Sequence, residues 1–300
     1  MHTGSAIVNG FVSSLAEAQI PLLDKGFLFG QGIFETLLVL EGRIVLWDEH
    51  MQRMATGAQK ALITMPATER VLADARRVVQ HNIMLSGHTA HKMQLRIMLT
   101  GGNAPQLWEP SHRELPPNLV LFCRNIPGIS PEVYRTGITL QTTPEQRSAQ
   151  TIDTKSSNYL IPLRALVSAQ ENGFDDALFV TPEGNIAEST TASFVWFDTA
   201  RNICTCPTFE KCLPGTTLLA LSNALKKLGT IIQQKALPLT DLGKASGAAI
   251  ISSTRGLVPV RAIDGHVFQV EALATTFQNL NNLLLCEQKS CSIGSSATSP

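Results

Sequence analysis

Long apolar runs, an excess of charge of either sign, a dense cysteine set and a phosphate-loop motif are all missing from this 300-residue sequence. No apolar stretch reaches the roughly 20 residues that cross a bilayer. The opening MHTGSAIVNG has no basic segment followed by an apolar one, which reads against secretion. Twenty-four Lys and Arg balance 24 Asp and Glu, so nothing favours nucleic acid or an anionic membrane as a partner. The six cysteines, Cys123, Cys204, Cys206, Cys212, Cys286 and Cys291, are too few for a disulfide framework in a chain this long. Cys204-x-Cys206 with Cys212 lacks zinc-ligand spacing and has no histidine near in sequence, so no metal is expected. Gly26, Gly30 and Gly32 match neither G-x-G-x-x-G nor G-x-x-x-x-G-K-[ST]. Nucleotide binding is therefore set aside for backbone that bends and approaches a ligand. The expectation is a cytoplasmic, reduced protein with no internal repeat.

What is present is a globular composition, 44% hydrophobic and 16% charged, with core enough for one large domain or two ordinary ones. Residues 6–12 turn at Asn9-Gly10, a strong hairpin signal. Residues 16–40 are apolar and strand-rich, and Glu41-Gly42 turns into RIVLW. Residues 48–64 have helical apolar spacing with Asp48 as the expected N-cap, and His50 and Arg53 share one face, by default a solvated one. A second amphipathic helix covers 67–86. HKMQLRIMLTGG and PPNLVLFCRN read as strands. The sequence leaves open whether 87–115 orders into a lid. These signals divide the chain into a small α/β domain over 1–124, a connector over 125–132 and a larger domain over 133–286. The serine-rich tail 287–300 is expected to lack order.

The stretch 154–217 organises the rest. Lys155 sits in the polar TKSSNYL, an amphipathic helix pattern follows, and the hairpin DDALFVTPEGNIAESTTASFVWF carries Glu188 on its second arm. LPGTT then opens another helix at Thr216. A lysine, a carboxylate and a helix N-terminus, in that order, are the tools that hold pyridoxal 5'-phosphate (PLP). They supply an imine link, a partner for the pyridine nitrogen and a seat for the phosphate.

Six motifs in order, LLDKGFLFGQGIFET, DEHMQRM, TKSSNYL, DDALFVTPEGNIAES, LPGTT and SSTRGLVPVRAIDG, resemble the class IV (fold-type IV) PLP-dependent enzymes. That family includes branched-chain aminotransferases, D-amino-acid aminotransferases and aminodeoxychorismate lyases, and the resemblance runs from Val8 to about Leu285. It implies a two-domain α/β (α+β) fold whose larger domain holds a barrel-like sheet, PLP at the domain junction, and a homodimer.

The resemblance also implies roles. Lys155 would carry the cofactor and move the Cα proton, a task that needs a lowered pKa. Glu188 would pair with the pyridine nitrogen, and Tyr159 with the cofactor's 3′-oxygen. Arg53, the amides of Thr216 and Thr217, and Ser253 and Thr254 would hold the phosphate. Thr36 matches a threonine that the lyases place beside the reacting amino acid. Arg96 resembles the carboxylate-binding arginine of the branched-chain enzymes. Arg255 is placed either to pair with an anionic substrate or to form a salt bridge on the rim.

The departures are specific. Leu218 stands where many relatives carry an arginine, and Ser193 where they commonly have asparagine. Gly101 replaces the arginine that binds substrate carboxylate in D-amino-acid aminotransferases, and GGNAPQLWEP replaces the arginine-containing loop of the lyases. Three readings remain open. The leading one is a lyase that splits 4-amino-4-deoxychorismate into p-aminobenzoate and pyruvate for folate synthesis, because GIFET and LLVLEGRIVLWDEH resemble lyase sequences. The second is an aminotransferase acting on D-amino or branched-chain amino acids, and the third a PLP-binding protein without catalysis.

Overall fold

Asn9 and Gly10 adopt positive φ (52° and 89°) and join β1 (Ser5–Val8) to β2 (Phe11–Ser14), as the Asn-Gly signal requires. The computed structural model describes residues 4–86, 92–104, 115–126, 128–145, 154–206 and 212–294. Residues 87–91 and 105–114, on which most of the lid question falls, lie outside the described residues. The chain divides into two compact units. One is Met1–Pro127 with Thr154–Asn158 and Lys289–Pro300; the other is Gly128–Asp153 with Tyr159–Gln288.

After β2 the first unit continues through α1 (Lys25–Phe29), β3 (Gly32–Leu40), β4 (Arg43–Val45), α2 (Trp47–Lys60), α3 (Thr68–Leu85), β5 (Lys92–Thr100) and β6 (Leu119–Asn125). Strand β3 pairs with β5 along its whole length, from Gly32 opposite Thr100 to Leu40 opposite Lys92. Its core-facing side alternates as the pleat demands, with Ile33, Leu37 and Val39 buried against β5, α2 and α3. Asp48 is not the N-cap of α2. Leu46 takes that place in the left-handed region (φ 54°), and Asp48 and Glu49 lie in the first turn, where they complement the helix dipole.

The second unit contains α4 (Pro131–Thr136), β7 (Ile138–Thr143), α5 (Leu160–Glu171), β8 (Asp176–Val180), β9 (Ile186–Ser189), β10 (Ser193–Asp198) and β11 (Ile203–Thr205). These are followed by α6 (Thr216–Lys227), β12 (Gln233–Gln234), β13 (Ala245–Ser252), β14 (Gly256–Ile263), β15 (His266–Val267) and α7 (Ala274–Ser290). Six strands close on themselves in the order β10-β13-β14-β7-β8-β9, because β9 pairs with both β8 and β10. The barrel-like sheet is therefore real. The crossovers place β7 parallel to both β14 and β8, and β11 and β12 extend the sheet from β10. The ring interior is apolar, filled by Leu140, Leu178, Phe194, Trp196, Ile250 and Val260 among others.

The tail departs from expectation. Residues 287–290 complete α7, and β16 (Ser292–Gly294) pairs antiparallel with β4, Ile293 opposite Ile44. Arg43 anchors it, donating from Nε to the Ser292 hydroxyl at 2.7 Å and from Nη2 to its carbonyl at 2.6 Å. Low hydrophobicity in the tail concealed a strand that an existing sheet edge recruits through its backbone. Residues 295–300 lie outside the described residues. Among the described residues, no helix is long and apolar enough to cross a membrane.

Candidate active site

The half-buried Lys155 is placed by its main chain. Thr154–Asn158 runs along the first half of β3, on the edge that β4 occupies further on. The Phe34 amide donates to the Lys155 carbonyl at 2.9 Å, and the Ser157 amide donates to the Gly32 carbonyl at 2.9 Å. Strand pairing thus fixes the lysine's Cα, and its ammonium stands 4.9 Å from the centroid of the Phe34 ring. A cation at that distance is attracted to the ring face.

Behind Phe34, on the core side of β3, an acid occupies an apolar slot. Glu35 is only 1% exposed, in the row of Ile33, Leu37 and Val39. A carboxylate there forfeits roughly 1.5–3 kcal/mol of apolar burial and is desolvated at a cost of several kcal/mol more. The partners offset this. Arg53 donates from Nε to Oε1 at 2.7 Å and from Nη2 to Oε2 at 2.6 Å, and Nδ1 of His50 lies 2.7 Å from Oε2. Burial alone would raise the Glu35 carboxyl, but the charges and hydrogen bonds of Arg53 and His50 outweigh it and hold it well below the usual carboxylate range. Burial pushes the His50 imidazole down against the pull of Glu35, with Arg53 and Lys155 pushing the same way. The imidazole is therefore neutral, and the acceptor beside Nδ1 assigns the proton to that nitrogen. His50 and Arg53 do share a helix face, but it is a buried one.

On the opposite side of β3, Thr36 lies in register with Arg96 of β5. Arg96 donates from Nη1 to the Thr36 hydroxyl at 3.1 Å, and its guanidinium carbon sits 4.0 Å from the Phe34 ring centroid. One ring therefore contacts both Arg96 and Lys155. At Gly101 the Gln31 side chain packs onto the backbone: a Cβ there would meet its Oε1 at 2.2 Å and displace it. Gln31 is fixed there, its carbonyl accepting from the Gly101 amide at 3.0 Å and its Nε2 donating to the Ala61 carbonyl at 3.0 Å.

In the second unit, Glu188 sits on β9, 4% exposed. The Leu213 amide lies 3.4 Å from each of its carboxylate oxygens. Ser193 stands opposite Glu188 across the β9–β10 pair. Gly215 comes so close to Ser193 that a Cβ would meet its hydroxyl at 2.4 Å and turn it aside. Gly215 is also the N-cap, with no side chain capping the helix, and no acid occupies the first turn. The helix start therefore offers backbone N–H groups and a positive dipole end to an anion.

Thr216 and Thr217 are buried in that first turn, and the Thr217 hydroxyl lies 3.2 Å from that of Ser253. Ser253, Thr254 and Arg255 form the turn between β13 and β14, so the sheet brings SSTRG to α6. Leu218 is buried and packs in the interior. The half-buried Tyr159 caps α5, its carbonyl accepting from the Leu163 amide at 2.9 Å. Arg255 is engaged inside its own unit. Its Nη2 donates to the Thr191 hydroxyl at 2.7 Å and lies 3.9 Å from the buried Asp176, while the Tyr134 hydroxyl donates to its carbonyl at 2.6 Å.

Lys155, Arg53, Thr36 and Arg96 thus lie together in the first unit, and Glu188, Thr216, Thr217, Ser253, Thr254, Tyr159 and Arg255 in the second. Sequence reasoning missed Glu35 and Phe34. An acid interrupting the apolar alternation of β3 is the signal that marks Glu35.

A family model described as amino-transferase class IV matches residues 32–263. The chain is 25% identical over 280 residues to the D-alanine aminotransferase of Bacillus licheniformis, covering 93% of this chain and 95% of that one. It is 25% identical over 282 residues to the bifunctional aminodeoxychorismate lyase / D-amino acid transaminase of Mycobacterium tuberculosis, covering 87% and 92%. Among solved structures it is similar to the branched-chain aminotransferase of the thermophilic archaeon Thermoproteus uzoniensis with norvaline. That match has a TM-score of 0.82 and 19% identity, and covers 98% of this chain and 100% of that one. With most of its length matched by one model, and with the closed sheet that the motifs imply, the chain belongs to the class IV aminotransferase family.

Proposed function

We propose that the protein is a PLP-dependent aminotransferase that takes an aliphatic amino acid as donor. The observation that carries this reading is the shared ring: Phe34 contacts the Arg96 guanidinium at 4.0 Å and the Lys155 ammonium at 4.9 Å. Amino-group transfer needs a cation for the substrate's α-carboxylate and an amine base for its Cα proton, and both stand on one aromatic side chain.

The residues present fit the cofactor. An uncapped helix start with the Thr217 and Ser253 hydroxyls beside it suits a phosphate, and the buried Glu188 carboxylate suits a pyridinium. Bound there, PLP supplies a cationic ring that accepts the electron pair released when the Cα–H bond breaks.

The rest falls to the chain's own residues. Lys155 would hold the cofactor, then take the proton from Cα and deliver it to the cofactor's C4′. Glu188 keeps the pyridine nitrogen protonated, and Tyr159 donates to the 3′-oxygen. Arg53, the Thr216 and Thr217 amides, Ser253 and Thr254 hold the phosphate. Arg96, steadied by Thr36 and Phe34, binds the α-carboxylate. Arg255 is better explained by its bonds within the rim, to Thr191 and towards Asp176, than as a substrate ligand. Gly101 supports a branched-chain type of donor, because it offers no arginine where the D-amino-acid enzymes bind the carboxylate. A homodimer belongs to this reading, and the exposed apolar run Ile20, Leu22, Leu23, Phe27 and Phe29 supports it.

The lyase, the leading reading of the sequence, becomes the second. What favours it is the likeness to the bifunctional lyase and transaminase; the other relatives and the family model support amino transfer better. Initial rates with L-leucine and a varied keto acid separate the two. Parallel double-reciprocal lines support the aminotransferase. Release of p-aminobenzoate and pyruvate from aminodeoxychorismate, with no keto acid present, supports the lyase.

A further inference from the structure

We infer that Glu35 is a positioning residue: it sets the plane of the Arg53 guanidinium so that the arginine can grip the cofactor's phosphate. The inference rests on the reading that Arg53 is a phosphate ligand. Glu35 lies at the centre of a row otherwise made of Ile33, Leu37 and Val39, each no more than 2% exposed. Packing alone would place an aliphatic side chain there. Both of its oxygens are committed, Oε1 to Arg53 Nε and Oε2 to Arg53 Nη2 and His50 Nδ1.

A two-point bond to the Nε–Nη2 edge fixes the rotation of a planar fork, which one contact could not do. With that edge held by the carboxylate, the direction in which Nη1 projects is set by β3, which pairs with β5 along its whole length, and not by the flexible arginine stem. His50 completes the clamp. Being neutral, it adds a hydrogen bond to Glu35 without a second cation beside Arg53. The main chain of Lys155 is anchored to the same strand through the Phe34 amide, so β3 carries the lysine on one register position and the arginine's support on the next.

The test compares PLP with pyridoxal, which differs only in lacking the phosphate. Apo-protein is titrated with each, and the ratio of the two dissociation constants is the readout. Glu35→Gln keeps the shape and removes the charge. It should weaken PLP binding roughly tenfold while leaving pyridoxal binding unchanged, since the loss acts through the phosphate ligand alone. Glu35→Asp, which keeps the charge and withdraws it by one methylene, should shift the ratio the same way and stands in if the glutamine variant fails to fold. A loss shared equally by PLP and pyridoxal means that Glu35 only supports the fold, and overturns the inference. Arg53→Ala is the control. If it collapses the ratio and neither Glu35 variant does, the positioning role is wrong and the phosphate reading stands. If Arg53→Ala also leaves the ratio unchanged, Arg53 is not a phosphate ligand, and both fall together.

Discussion

The amide of Phe34 donates to the carbonyl of Lys155 at 2.9 Å, so the lysine is held to β3 by strand pairing while its ammonium rests 4.9 Å from the Phe34 ring. A backbone anchor and a side-chain contact come from the same residue. If Lys155 carries the cofactor and moves the Cα proton, Lys155→Ala should lower kcat by at least about 10²–10⁴-fold, the usual worth of a positioned base. Its circular dichroism spectrum should stay unchanged, because the strand bonds use only the main chain. Residual activity within tenfold of the parent enzyme would exclude that role.

The hydroxyls of Thr217 and Ser253 face each other at 3.2 Å beside the start of α6. Replacing either with a residue of similar size and no hydroxyl, Thr217→Val or Ser253→Ala, should weaken PLP binding by roughly tenfold or more, the value of one hydrogen bond to a charged group. Equilibrium titration of apo-protein measures this, and inorganic phosphate should compete with PLP less well in the variants than in the parent.

Glu188 is buried, with the Leu213 amide 3.4 Å from each of its oxygens. Glu188→Gln removes the charge that keeps a pyridine nitrogen protonated. The expected outcome is a fall in kcat on the order of 10²-fold with little change in donor KM, as for other groups that act on charge developing in the transition state. A change confined to KM would place Glu188 at the substrate.

Acid should destabilise the fold in two steps of the same sign. His50 has a lowered pKa in the folded state, so below its ordinary value of 6.5 the unfolded chain binds a proton that the folded chain refuses, and stability falls with pH. Glu35 is also lowered, from 4.5, and its contribution is present above that value and lost as pH falls further. Each group adds a slope approaching about 1.4 kcal/mol per pH unit inside its window. Urea titrations between pH 7.5 and 3.5 should therefore show a shallower decline below pH 6.5 for His50→Gln, and below pH 4.5 for Glu35→Gln.

Much of the scaffold was legible, because turns and periodicity are local. Asn9-Gly10 and the helices around 48–64 and 67–86 follow from turn chemistry and apolar spacing. At the candidate site, local motifs single out Lys155, Glu188 and LPGTT as the positions to test. What escaped depends on pairing across long separations. The two-point bond between Glu35 and Arg53 turns an apparent surface helix face into a buried one. The buried Asp24, which accepts from the Phe27 amide at 2.9 Å and from Asn118 Nδ2 at 2.6 Å as well as from the Thr100 hydroxyl, is another case. Leu46 in the left-handed region displaced the cap expected at Asp48, and β4 recruited a tail whose composition suggested no order.

The most direct measurement is a half-reaction. Purified, PLP-loaded protein is mixed with L-leucine or D-alanine, without any keto acid, and the cofactor is followed by its absorbance and by chromatography. An aminotransferase must convert its PLP to pyridoxamine 5'-phosphate and release one equivalent of keto acid per site, with Lys155→Ala inert. A cofactor that stays PLP with both donors, in a protein that releases p-aminobenzoate and pyruvate from aminodeoxychorismate, would contradict the assignment and restore the lyase.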